Sequence, residues 1–93
     1  MPFYRRAWGE SRGDEHNDWG SAVYYCWVHE GVLEQQVERY ETGVLLAYDR
    51  HHREDQYGRM ASEPLDADEW APFEVDLDTF QRETQGQPFN RNG

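Results

Sequence analysis

Two glycine turns set between strand-forming runs constrain this chain more than any other feature of it. The run Ala22–His29 is rich in β-branched and aromatic residues, and Glu30-Gly31 follows with a glycine free to take positive φ. Val32–Tyr40 then returns antiparallel, Thr42-Gly43 turns the chain again, and residues 44–48 supply a third strand. Side chains alternate across a strand, so two-residue turns at both positions predict every facing pair. One face holds Tyr24, Cys26, Val28, Leu33, Gln35, Val37, Arg39, Leu46 and Tyr48; it is mostly apolar and is therefore the expected core. The other carries Tyr25, Trp27, His29, Glu34, Gln36, Glu38, Tyr40, Leu45 and Asp49, where rings alternate with carboxylates.

The flanking segments carry weaker signals. Phe3–Trp8 alternates but has charge on both faces, which predicts an edge strand if it pairs at all. Residues 9–20 are polar, glycine-punctuated and without hydrophobic period, and read as a loop. The charged stretch 50–64, with Gly58 and Pro64, reads as an irregular connection with at most one turn of helix. Residues 65–70 have an acidic start suited to a short helical turn, and 72–75 look extended. Asp76 or Asp78 can cap a C-terminal helix carrying Leu77 and Phe80 on one side, which would cover the core face. The expected fold is α+β: an antiparallel three- to four-stranded meander with a C-terminal helix packed on one face. It forms a single domain over 1–85, with 86–93 as a flexible tail.

Length and charge narrow the function classes. Ninety-three residues are too few for a barrel or a dinucleotide-binding fold. With 37% hydrophobic residues, the 4 Trp, 6 Tyr and 4 Phe must supply most of the burial, and so many rings argue against a disordered acidic tail. Nine arginines and no lysine stand against 19 acidic residues, a net charge of −10 that repels nucleic-acid backbone and anionic membrane and leaves basic partners open. No apolar run is long enough to span a bilayer, the first residues lack the apolar stretch of a signal peptide, and the single Cys26 rules out an internal disulfide. A cytoplasmic setting is expected.

The residues that invite chemistry lack the spacing it needs. His16, His29, His51, His52, Cys26, Glu54 and Asp55 include good metal donors, but no paired Cys-x-x-Cys and no His-Glu-x-x-His occurs, so no metal and no cofactor is expected. Cys26 and His29 are three apart on a strand and face opposite sides, which separates the one sequence-adjacent nucleophile and base. Cys26 reads instead as a small apolar core residue. The acidic pairs Glu34 with Glu38 and Asp66 with Asp68 read as solvated surface. An enzyme or metal-binding protein built on the loop 50–58, where His51, His52, Glu54 and Asp55 crowd together, is the alternative to a binding module.

Trp19-Gly20-Ser21, Tyr25, the run from Gln36 through Tyr40 and Gly43 to Asp49, then His52, Asp55, Tyr57-Gly58, Pro64-Leu65-Asp66 and Pro72-Phe73-Glu74 together resemble a group of short, acidic, uncharacterised bacterial proteins. The resemblance covers most of the chain and implies a single bacterial domain. It transfers no functional residue, and the chain departs from the pattern at Arg39, where the group is apolar. The functional expectation therefore rests on the residues. It is a small protein-binding or inhibitory domain, immunity-type or regulatory, acting through Tyr25, Trp27 and Tyr40 with Glu34 and Glu38 as a negative rim. The partner is a basic protein, and the same patch suits pairing of two copies as a homodimer.

Overall fold

The computed structural model of the chain describes residues 3–9, 12–60, 66–85 and 90. It is an α+β fold around a five-stranded antiparallel sheet, one strand more than the longest expected meander. The strands are β1 (Phe3–Trp8), β2 (Ala22–His29), β3 (Val32–Tyr40), β4 (Leu45–Asp49) and β7 (Glu74–Val75), in the order β4-β3-β2-β1-β7. Two further short strands, β5 (Glu54–Asp55) and β6 (Gly58–Arg59), pair as a separate hairpin. Helices α1 (Ala67–Trp70) and α2 (Leu77–Glu83) complete the described elements, with single 3-10 turns at Asn17–Trp19 and Ala71–Phe73. No helix among the described residues is long and apolar enough to cross a membrane.

The Glu30-Gly31 turn forms as expected, with φ of 51° and 78°, the doubly positive pair of a tight type I′ hairpin. The register beyond it differs from expectation. Val28 pairs with Leu33, but Trp27 pairs with Gln35, so Glu34 is the extra residue of a β-bulge. Past the bulge every β3 side chain changes face: Gln36, Glu38 and Tyr40 join Cys26, while Gln35, Val37 and Arg39 join Tyr25. The second turn is also one residue longer than expected. Tyr40 N–H donates to the Val44 carbonyl and encloses Glu41, Thr42 and Gly43, the last at φ +95°. Glu38 thus faces Leu46, and Gln36 faces Tyr48. The two one-residue shifts cancel for β4, leaving Leu46 and Tyr48 on the Cys26 side as expected and only β3 inverted.

Three other expectations are corrected. β1 lies inside the sheet, paired over six residues with β2 and at Phe3 and Tyr4 with β7, because the extended 74–75 segment returns to cover its outer edge. Helix α2 packs on the Tyr25 face and not on the Cys26 face: Phe80 is buried with Tyr25, Val37, Leu45 and Ala47, while Leu77 stays 49% exposed. Its N-cap is Asp76, whose carboxylate accepts from Thr79 N–H at 2.7 Å. The 50–60 part of the irregular connection contains the β5–β6 hairpin; residues 61–65 lie outside the described set. That hairpin is nucleated by Asp55, which accepts from the amides of Tyr57 and Gly58 at 2.8 and 3.1 Å. Gly58 permits its close approach, since a Cβ there would stand 3.1 Å from the Tyr48 hydroxyl.

Both faces of the sheet are consequently covered. On the Cys26 side Tyr4, Ala22, Val28, Leu33, Tyr40, Leu46, Tyr48 and Met60 are buried together, with Trp19, Tyr57 and Trp70 packed against them from the connections. Of residues 86–93 only Asn90 is described. Its side-chain amide exchanges two 2.9 Å hydrogen bonds with Ala47 N–H and carbonyl, pairing the edge of β4 much as a neighbouring strand would.

Candidate functional site

The inversion of β3 builds a cleft on the Cys26 side of the sheet. Its floor is Tyr24 and Cys26 from β2 with Gln36, Glu38 and Tyr40 from β3; Arg6 and Trp8 of β1 and Trp70 of α1 wall one side, and Arg12, Asp14 and the 57–59 hairpin wall the other. The space is about 500 Å³. Trp8 and Tyr24 lie nearly parallel, centroids 6.3 Å apart at 15°.

Glu38 is the central group. It is 6% exposed, with Oε2 accepting from Gln36 Nε2 at 2.9 Å and Oε1 from the Tyr40 hydroxyl at 2.6 Å. Burial raises its carboxyl above the ordinary range, only partly opposed by these two hydrogen bonds and by the charge of Arg12. Its own charge helps push the Cys26 thiol up to about 12, where burial is the larger cause. Cys26 is thus a protonated, 2% exposed core residue, consistent with its apolar reading.

The nearby arginines are committed elsewhere. Arg12 Nε meets Asp14 Oδ2 at 3.0 Å, one terminal nitrogen reaches the Tyr40 hydroxyl at 3.4 Å and the other donates to the Tyr57 carbonyl. Its guanidinium lies 5.4 Å from the Trp19 ring. Arg6 meets Glu69 at 3.3 Å and sits over Phe73 and Trp70 at 4.8 and 5.0 Å.

The five residues expected to form one binding face are distributed as follows. Glu38 and Tyr40 come together at the cleft floor. Tyr25 lies on the opposite side, 1% exposed beneath α2, its hydroxyl donating to Glu83 at 2.9 Å. Trp27 and Glu34 stay near one another at the bulge, lining a shallow depression of about 310 Å³ with Gln35, Asp49, Arg50 and His51. Trp27 stacks on Phe3 with centroids 6.3 Å apart, and its buried indole N–H has no hydrogen-bond partner among the described residues. In the 50–58 loop His52 meets Asp55 at 3.0 Å, while His51 and Glu54 are exposed. Among the described residues no three His, Cys, Asp or Glu side chains are grouped to hold a metal.

Sequence reading missed Trp8, Tyr24, Tyr57 and Trp70 as lining of one site, because they come from segments far apart in the chain. The adjacent pair Gln35-Gln36, polar at both parities in mid-strand, is the one local sign that the alternation of β3 is not simple. No family model matches the chain, and neither a curated protein nor a solved structure shows significant similarity to it.

Proposed function

We propose that this chain is a small cytoplasmic binding domain, inhibitory or regulatory, that engages a basic protein partner through the cleft on the Cys26 side. The observation that carries the reading is Glu38: a carboxylate 6% exposed, at the floor of an aromatic cleft, hydrogen-bonded among the described residues only to the neutral donors Gln36 and Tyr40. A buried carboxylate costs several kcal/mol unless a cation meets it. Arg6 faces Glu69, and Arg12, which faces Asp14, offsets the burial of Glu38 only in part, so the carboxylate can still gain from a partner's cation. The net charge of −10 steers basic proteins toward the domain, and exposed rings such as Trp8, at 47%, are the residue type that dominates interface energies. With extents of 33 × 28 × 25 Å, one face of the domain offers area of the order of the ~800 Å² per partner of a standard interface.

The test is affinity capture from an extract of the source organism on immobilised wild type and on Trp8→Ala, Trp70→Ala and Glu38→Gln, with light scattering of the pure protein alongside. The expected result is a basic protein retained by wild type and lost from all three variants. Retention insensitive to these changes but abolished by Trp27→Ala moves the site to the Trp27–Glu34 surface and overturns the reading. A wild-type dimer dissociated by the cleft variants makes the partner a second copy of the chain.

A further inference from the structure

We propose that the cleft accepts a guanidinium group, supplied by an arginine side chain of the basic partner; this deepens the protein-binding reading above and rests on it. Three features of the cleft point to that group. The first is the hydrogen-bonding state of Glu38. A carboxylate offers about four lone-pair sites, and each Glu38 oxygen accepts one hydrogen bond from the described residues, from Gln36 on one side and Tyr40 on the other. Each oxygen thus keeps acceptor capacity among the described residues, and a carboxylate with both oxygens able to accept is what a guanidinium fork meets with two parallel N–H donors and an ammonium does not.

The second is the aromatic lining. Trp8 and Tyr24 lie at 15° to one another in the cleft, the Arg6 guanidinium already stands 5.9 Å from the Trp8 ring, and a second planar cation gains from the remaining ring surface as it desolvates. The domain already uses this chemistry on its own side chains, with Arg6 held over Trp70 and Phe73 and Arg12 over Trp19. The third is local charge. Arg6 and Arg12 are each paired with a carboxylate, the charge of Arg12 offsetting the burial of Glu38 only in part, and Arg59 stands exposed on the hairpin rim where water screens it. Glu38 is the acidic group left at the floor, and its field is felt by Cys26, Tyr24, Tyr40 and Tyr48 alike.

The experiment titrates the full chain with N-acetyl-arginine amide, N-acetyl-lysine amide, and two short peptides that differ only in carrying Arg or Lys. Tryptophan fluorescence and amide chemical shifts are the readouts. Saturable binding of both arginine probes is expected, with shifts at Trp8, Tyr24 and Glu38 and the lysine counterparts at least about tenfold weaker. Glu38→Gln should weaken the arginine probes by about tenfold or more. Trp8→Ala, at an exposed wall position, provides a second variant that does not depend on the buried network and should weaken them too. Equal binding of Arg and Lys probes, or binding indifferent to both variants, shows attraction by net charge alone and overturns the inference. Absence of probe binding while extract capture still depends on the cleft overturns the guanidinium assignment and leaves the protein-binding reading standing. Binding of the free arginine amide but not of the peptide overturns the protein source and makes the ligand a small guanidino compound.

Discussion

Asp55→Ala should destabilise the domain by about 3 kcal/mol, a figure that follows from what its carboxylate holds. Oδ1 accepts from the Tyr48 hydroxyl at 3.0 Å and from the amides of Tyr57 and Gly58, while Oδ2 accepts from Asn90 Nδ2 at 2.8 Å and meets His52 at 3.0 Å. Tyr48 is 0% exposed, so its orphaned hydroxyl alone costs about 1–3 kcal/mol. The part-buried amides and the Asn90 contact add about 1 kcal/mol more, since water reaches them once the hairpin loosens. At about 4–8 °C per kcal/mol for a domain of this size, the melting temperature should fall by about 12–24 °C. Thermal melts followed by circular dichroism and tryptophan fluorescence measure it, and the double variant with Tyr48→Phe isolates the cause. Removing the hydroxyl along with its acceptor should recover about 1–2 kcal/mol of the loss. A drop below about 1 kcal/mol, or strictly additive single and double changes, would refute the argument that Asp55 is held for the sake of Tyr48. The pH dependence has a definite sign. Burial works to raise the Asp55 carboxyl, but donors from Asn90, Tyr57, His52 and Tyr48 outweigh it and hold the folded value below the ordinary one. Its stabilisation is therefore complete above the unfolded pKa and lost as pH falls through the folded one, so Asp55→Ala should flatten the acid limb of the stability curve.

Glu38 behaves oppositely. Its folded pKa is raised, so wild type gains stability as pH falls through the folded value toward the unfolded one; Glu38→Gln should be the more stable protein at pH 7.5 and lose that advantage near pH 4, compared by urea midpoints. A less stable Gln variant at pH 7.5 would contradict a carboxylate whose burial outweighs its partners. Leu46→Ala, at a 0% exposed site on β4 opposite Glu38 of β3, should cost about 2–5 kcal/mol by the same titration, and a cost under about 1 would mean that the core collapses freely around it. Deleting Glu34 should straighten β3 while keeping Gln35 opposite Trp27, Gln36 opposite Cys26 and Glu38 opposite Tyr24; the expected outcome is a cooperative melt, and loss of the transition would show that the bulge is needed for more than setting the register.

The local features of this fold were legible in the sequence because local chemistry decides them. The runs Ala22–His29 and Val32–Tyr40, the positive-φ turn at Glu30-Gly31, the Asp76 cap and the α+β class each depend on residues a few positions apart. Which face of β3 looks where was decided by tertiary structure. Strand alternation has period two, so the single extra residue at Glu34 inverts the rest of β3, and adjacent polar residues such as Gln35 and Gln36 give the hydrophobic pattern no preference between the two registers. Coverage of both sheet faces, by α2 on one and by the 12–20 loop, the β5–β6 hairpin and α1 on the other, removes the contrast between wet and dry sides that alternation arguments need. The site follows the same division. Glu38 and Tyr40 were visible as an acidic and aromatic pair on β3, but their meeting with Arg6, Trp8, Arg12, Tyr57 and Trp70 required contacts among residues up to more than sixty positions apart, which only the folded chain brings within reach of one cleft.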